Sequence, residues 1–185
     1  MKQFPAPALG LLELSSIARG IAVCDAMVKR APVQVLLARP GSPGKYLVLV
    51  CGAVAEVDEA MQAGTAFAQD TLLDRLFLAQ ADAQLTLALE REPRDSAIDA
   101  LAIVELTTVA ASLLAADAAV KAAAVKLRTL RLADGIGGKG YFTLTGPLPD
   151  VDAAVAAARD AVGHSRIVMT EVIPRPHADL PRGSI

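Results

Sequence analysis

The amino-acid sequence predicts an α+β fold in which one small unit occurs twice. Residues 8–18, with the sequence ALGLLELSSIA, return at residues 100–110 as ALAIVELTTVA. Residues 25–29 (DAMVK) return at 117–121 as DAAVK, at the same spacing (100 − 8 = 92 and 117 − 25 = 92). In each copy, short apolar runs and helix-period segments follow the order β-α-β-β-α-β, the split-βαβ or ferredoxin-like arrangement. The chain is therefore predicted to hold two tandem domains.

Local patterns of apolar and turn-forming residues define the elements of the first copy. Ser15-Ser16 follows the first apolar run as a helix N-cap, and Pro32 ends that helix. Residues 40–44 (PGSPG) are predicted to form a turn outside any regular element, and Gly64 is predicted to be a helix C-cap. The predicted elements are strands at 9–14, 33–38, 46–51 and 72–78 and helices at 17–29, 54–62 and about 81–90.

The second copy repeats this order. Thr107-Thr108 takes the place of the two serines, and residues 133–138 form a glycine-rich turn. Lys139 matches Lys45 at a larger spacing (139 − 45 = 94), so the second turn is predicted to be two residues longer than the first. The predicted elements are strands at 101–106, 125–132, 141–145 and 167–173 and helices at 109–123 and 151–162.

A charged, non-periodic stretch at residues 89–99 separates the two copies and contains a proline. The first seven residues have no apolar core, so they are not predicted to be a signal peptide. The predicted division is a tail at 1–7, a first domain at 8–92, a linker at 93–99, a second domain at 100–180 and a tail at 181–185.

The composition favours an oligomer. Hydrophobic residues make up 54% of the 185-residue chain, and the mean hydropathy is +0.44. Two domains of this size bury only a modest share of their surface, so apolar surface is left over. The longest apolar run, residues 46–55, is shorter than the roughly 20 residues of a membrane-spanning helix. We therefore expect the surplus to be buried against other chains, with no membrane partner.

Charge and residue usage exclude further classes of partner. The net charge of −2 and the 3% of aromatic residues predict no nucleic-acid binding, which requires a basic surface. Cys24 and Cys51 are isolated from each other in a chain rich in alanine. A disulfide framework is therefore not expected, and a reducing cytoplasm is favoured.

No motif in the sequence predicts an enzyme. Residues 135–140 (GIGGKG) lack the first glycine and the Ser or Thr of a phosphate-binding loop, so a hairpin turn is predicted. In another interpretation, two such turns meet at a symmetry axis and expose amides to an anion. His164 and His177 lack further metal ligands nearby. Glu13 and Glu105 occupy matching positions, and we expect backbone amides or a helix terminus to satisfy them. The sequence therefore predicts no catalytic residues, no metal ligands and no cofactor.

Three segments together resemble the bacterial microcompartment shell domain. They are the ALGLLE strand at residues 8–13, the DAxxK helix end that repeats at Lys29 and Lys121, and VIPRPH at residues 172–177. Two copies in unpermuted order resemble the tandem-domain class of that family. The resemblance implies a homotrimer that forms a pseudohexagonal tile and assembles with other shell proteins. It also implies a shell located in the bacterial cytoplasm.

The resemblance assigns roles to matching residues. Lys29, Lys121 and Arg175 correspond to residues at the tile edge, although residues 76–81 of the first copy lack the PRPH motif. The two hairpin turns correspond to the loops around a central pore for small polar metabolites. The implied pore residues are Gly41, Ser42, Pro43, Gly44, Gly135, Ile136, Gly137 and Gly138.

One position departs from the subfamily that the chain most resembles. The propanediol-compartment tandem shell proteins carry a pore cysteine, three of which hold a [4Fe-4S] cluster, and Ser42 stands at that position here. Because such clusters are held by thiolates, no cluster is predicted. Two other functions remain as alternatives: a trimeric sensor of nucleotides or other small molecules with a similar fold, and an electron-transfer shell protein with a pore cluster.

Overall fold

The computed structural model describes residues 8–90 and 98–180. The predicted tails at 1–7 and 181–185 and residues 93–97 of the predicted linker lie outside this part. The chain divides into two compact units. Within the described residues, unit 1 comprises residues 8–81 together with Asp134–Gly138, and unit 2 comprises residues 82–133 and 139–180.

Each unit is an α+β structure with a four-stranded antiparallel sheet, as predicted. The sheet orders are β2-β3-β1-β4 in unit 1 and β6-β7-β5-β8 in unit 2. The elements of unit 1 are β1 (Ala8–Leu14), α1 (Ile17–Arg30), β2 (Gln34–Gly41), β3 (Lys45–Gly52), α2 (Val54–Ala68) and β4 (Leu72–Leu78). Those of unit 2 are α3 (Ala83–Glu90), β5 (Ala100–Leu106), α4 (Val109–Ala122), β6 (Lys126–Leu132), β7 (Gly140–Gly146), α5 (Leu148–Val162) and β8 (Ile167–Ile173).

The repeated sequence produces repeated local structure. The side chain of Ser16 accepts a hydrogen bond from the Arg19 amide at the start of α1, and Thr108 accepts one from the Ala111 amide at the start of α4. These are the N-caps that the sequence predicted. Every residue of β1, a central strand of its sheet, is buried. Residues from β1, β3, α1 and α2 form the core of unit 1, among them Leu12, Val23, Met27, Val48 and Val57.

The structure differs from the sequence prediction at three residues of the first copy. Gly64 is not a C-cap, because α2 continues to Ala68. A β-carbon at Gly64 would lie 2.7 Å from both Leu12 Cδ1 and Met27 Cγ, so this glycine permits close packing. Pro40 and Gly41 lie within β2 and pair with Tyr46 and Lys45, respectively. β2 is the edge strand of its sheet, where the missing proline amide is tolerated.

The second copy agrees with the predicted difference in turn length. Pro40 pairs with Tyr46 across the first turn, and the matching Leu132 pairs with Gly140 across the second. The first pair is six positions apart in sequence (46 − 40 = 6) and the second is eight positions apart (140 − 132 = 8).

Helix α5 begins at Leu148 instead of residue 151. Pro149 lies in its first turn, where a missing amide costs no helical hydrogen bond.

Helix α3 packs with unit 2. The amide of Leu127 in β6 donates to Gln84 Oε1 at 2.9 Å, and Leu85 is fully buried. The compact units therefore divide between Ala81 and Asp82, ahead of the boundary expected at residue 92. No described helix is long and apolar enough to cross a membrane.

Candidate functional site

Two hairpin turns lie together in unit 1. We call residues 41–44 and 134–138 the paired turns. The Gly135 amide donates to Ser42 Oγ at 3.3 Å, and Arg39, just before the first turn, forms an ion pair with Asp134. The structure therefore brings together the two segments that the sequence assigned to one site.

Gly138 lies at the closest approach of the paired turns. Its φ is +79°, and a β-carbon there would lie 2.5 Å from the Ser42 carbonyl oxygen. Gly135 has a similar φ of +68°, but nothing lies within 4 Å of its β-carbon position. Both backbones favour glycine, and only Gly138 also needs the space.

A buried ion pair lies next to the paired turns and contacts one of them. Lys45 Nζ donates to Glu13 Oε2 at 2.8 Å and to the Gly138 carbonyl at 2.6 Å. The Glu13 side chain is fully buried, and that of Lys45 is 10% exposed. The expected partners of Glu13 were backbone amides or a helix terminus, and the lysine was missed. A signal was present in the sequence, because a glutamate in the first strand and a lysine after the turn recur in both copies.

The second copy holds the same pair in a more open setting. Lys139 Nζ donates to Glu105 Oε1 at 2.7 Å. The side chains are 44% and 36% exposed, respectively. The two ion pairs thus have matching geometry and different burial, so water screens the second pair far more than the first.

The residues that the resemblance placed at tile edges lie at separate points. Lys29 lies in the last turn of α1, and both side chains of its ion pair with Asp25 (2.6 Å) are exposed. Lys121 lies in the last turn of α4 and pairs with Asp117, whose side chain is only 7% exposed. The Asp82 amide also donates to Asp117 Oδ1, at 2.8 Å. Arg175 is exposed just after β8.

The cysteines lie away from the paired turns. Cys51 is buried in β3, and Cys24 is partly exposed on α1. Burial raises the pKa of both thiols, and the negative charge of Asp25 raises that of Cys24 further. Both thiols are therefore less readily ionised than a free cysteine and correspondingly less reactive. Within the described ranges, no group of three or more His, Cys, Asp or Glu side chains is placed to hold a metal ion.

The repeated fold and the paired turns place the chain in the class of proteins that carry two similar α+β domains in tandem. The BMC domain model matches residues 8–81 and 100–176. The chain therefore belongs to the bacterial microcompartment shell-protein family, with two BMC domains in tandem.

Relatives agree with this assignment. The chain is 41% identical to the bacterial microcompartment shell protein PduT of Citrobacter freundii over 176 residues, which cover 95% of this chain and 96% of PduT. It is 42% identical to a microcompartment protein from Desulfitobacterium hafniense, whose crystal structure superposes with a TM-score of 0.84 over 92% of this chain and 95% of that one.

A more distant structure shares the fold. The fused permuted hexameric shell protein MSM0275 from the RMM microcompartment is 22% identical. The TM-score is 0.65, over 83% of this chain and 82% of that one.

Proposed function

We propose that this shell protein forms a tile of three chains around a central pore, in the cytoplasm of its bacterium. Two domains per chain and three chains give six similar positions around one axis. The observation that carries the proposal is the paired turns, in which the Gly135 amide donates to Ser42 Oγ. Two loops of different copies already lie side by side there, as successive loops around a ring would.

We assign the pore lining to the paired turns: Gly41, Ser42, Pro43, Gly44, Gly135, Ile136, Gly137 and Gly138. Small residues and backbone amides dominate this set, and Ser42 adds a hydroxyl. Amides that surround an opening favour anions and small polar molecules over bulky apolar ones. The pore is therefore suited to the passage of small polar metabolites, and no residue is assigned a catalytic step.

The residues present do not fit a pore iron–sulfur cluster. Such clusters need thiolates, and Ser42 offers a hydroxyl that already accepts the Gly135 amide. Cys51 is buried in β3, and Cys24 lies on α1. The chemistry of the turn thus supports a metabolite pore without a redox centre.

Lys29, Lys121 and Arg175 are proposed to lie at the tile edges, where neighbouring tiles meet. All three carry exposed cationic groups on the last turn of a helix or just after a strand. Cations there can donate to backbone carbonyls or carboxylates of the adjacent tile. Together with other shell proteins, such contacts would extend single tiles into a closed layer.

Native mass spectrometry and electron microscopy test the tile directly. We expect a mass of three chains and hexagonal discs or sheets. A chain that remains monomeric at high concentration would refute the tile. A large, concentration-dependent rise in melting temperature with ATP would instead support the sensor alternative, because ligand binding stabilises the native state.

Metabolite flux through assembled shells tests the pore. Ser42→Leu places four carbons at the proposed constriction and should lower the flux of a small polar metabolite several-fold. Ser42→Ala is the matched control, because it removes the hydroxyl without adding bulk. Equal flux through wild-type and Ser42→Leu shells would show that Ser42 does not line the constriction of the pore.

A further inference from the structure

The longer of the two hairpins contains an acidic residue that the shorter one lacks. The first hairpin runs from Arg39 to Lys45, and the second runs from the matching Arg131 to the matching Lys139. The second has two more positions (139 − 131 = 8 against 45 − 39 = 6). Asp134 is the only acidic residue in either stretch of sequence, so the first copy has no carboxylate at this place.

Asp134 forms an ion pair with a cation of the first copy. Arg39 Nη1 donates to Asp134 Oδ1, and the same nitrogen donates to the Pro40 carbonyl at 3.4 Å. The Arg39 side chain is 34% exposed and that of Asp134 is 61% exposed, so water and small solutes reach this pair. The Gly135 amide, which follows Asp134, donates to Ser42 Oγ. The charges of Arg39 and Asp134 therefore oppose each other next to the proposed pore lining.

The lysines that follow the two turns also pair with carboxylates. Lys45 Nζ lies 2.8 Å from Glu13 Oε2, and Lys139 Nζ lies 2.7 Å from Glu105 Oε1. These two glutamates occupy matching positions in the two copies. Asp134 is therefore the carboxylate that the longer turn adds to a pattern that the copies otherwise share.

We infer that Asp134 makes the proposed pore less attractive to anions, so that uncharged polar molecules pass in preference to them. This role for Asp134 rests on the proposed pore and adds the class of substrate that passes it. An arginine beside a narrow opening attracts anions and repels cations, and a carboxylate bound to that arginine removes most of this field. The backbone amides of the lining remain, and they donate to the oxygens of uncharged molecules as well.

Three probes of similar size and shape and of different charge measure this preference. At neutral pH, acetate is an anion, acetamide is uncharged and acetamidinium is a cation. The flux of each probe through assembled shells is measured, and the part that Ser42→Leu removes is assigned to this pore. Within that part, wild-type shells should pass acetamide faster than acetate.

Two substitutions unbalance the ion pair in opposite directions. Asp134→Asn leaves Arg39 without this carboxylate and should raise the ratio of acetate to acetamide flux at least about threefold. Arg39→Gln leaves Asp134 without this guanidinium and should raise the ratio of acetamidinium to acetamide flux by a similar factor. Salt at molar concentration should weaken both effects, since it screens charges beyond about 3 Å.

The double variant and a distant variant are the controls. Arg39→Gln with Asp134→Asn removes both charges, so both flux ratios should return to the wild-type values. Asp152→Asn removes the same charge as Asp134→Asn at an exposed position of α5, and it should leave all three fluxes unchanged. Native mass spectrometry and circular dichroism check that each variant assembles and folds as the wild-type chain does.

The outcomes distinguish the role of Asp134 from the pore itself. An unchanged ratio of acetate to acetamide in Asp134→Asn shells would overturn the role of Asp134 and leave the pore standing. So would an equal rise of all three fluxes, because it would mean that Asp134 only holds the turn in shape. If Ser42→Leu removes no flux of any probe, the assigned pore lining fails, and the role of Asp134 fails with it.

Discussion

At the scale of single residues, burial decides what an ion pair contributes. Glu13 and Lys45 are almost completely removed from water, whereas Glu105 and Lys139 are more than a third exposed. Breaking a buried pair leaves an uncompensated charge in the interior, and breaking an exposed pair exposes a charge that water already solvates. Two chemically identical pairs should therefore differ greatly in their effect on stability.

Substitution of the two lysines measures this difference. Lys45→Ala should lower the free energy of unfolding by about 3–5 kcal/mol, the usual loss when one partner of a buried pair is removed. Lys139→Ala should lower it by at most about 1 kcal/mol in the dissociated chain. Urea unfolding at a concentration where the chain is monomeric gives both values.

A double substitution provides the control for Lys45. Glu13→Leu with Lys45→Met replaces the pair by apolar side chains of similar volume, so it should recover much of the loss. Equal losses from the two single lysine variants would contradict the role assigned to burial.

The sequence predicts the two turns better than the contacts around them. Ser42 and Gly135 were placed in turns because Pro and Gly act locally on the backbone. The Glu13–Lys45 pair depends on the pairing of β1 with β3, in which Glu13 lies opposite Leu47. Lys45 also donates to a carbonyl in a turn more than 90 residues away (138 − 45 = 93). The local sequence pattern predicts neither the pairing of these strands nor this long-range contact.

At the scale of elements, packing overrides local preference in α2. Glycine is the poorest ordinary residue for a helix interior, which favours an end at Gly64. The helix nevertheless continues, because Leu12 and Met27 occupy the space beside Gly64. Sequence periodicity predicts the order and type of the elements. It could not predict where α2 ends, because that boundary depends on side chains from β1 and α1.

The sign of one substitution separates these two effects. Helix propensity alone predicts that Gly64→Ala stabilises the protein by about 1 kcal/mol. Overpacking against Leu12 and Met27 costs about 1–3 kcal/mol, so we expect a net loss of stability. The free energy of unfolding in urea decides between them. Ala66→Gly, at an exposed position of α2, is the control and should cost about 1 kcal/mol. A stabilised Gly64→Ala variant would mean that the neighbours move aside freely.

At the scale of the whole molecule, the two lysines proposed to lie at tile edges are held differently. Lys29 and its partner Asp25 are both exposed, so the Lys29 side chain is free to move. Lys121 is held by Asp117, which is buried and also accepts the Asp82 amide ahead of α3. The segment just ahead of α3 therefore helps to hold the partner of one proposed edge lysine, and α3 has no counterpart after β8 within the described residues.

Assembly of tiles into sheets should depend on this difference. Immobilising a long side chain at an interface costs about 0.5–1.5 kcal/mol, and Asp117 removes much of that cost for Lys121 before tiles meet. Asp117→Ala should therefore raise the concentration required for sheet formation about three- to tenfold, as measured by light scattering and electron microscopy. Asp25→Ala should change it less than about twofold, because Asp25 holds Lys29 only in water-exposed contact. Native mass spectrometry must show intact trimers for both variants, so that the effect belongs to the edge. Equal effects of the two substitutions would mean that holding the Lys121 side chain in place does not assist the contact between tiles.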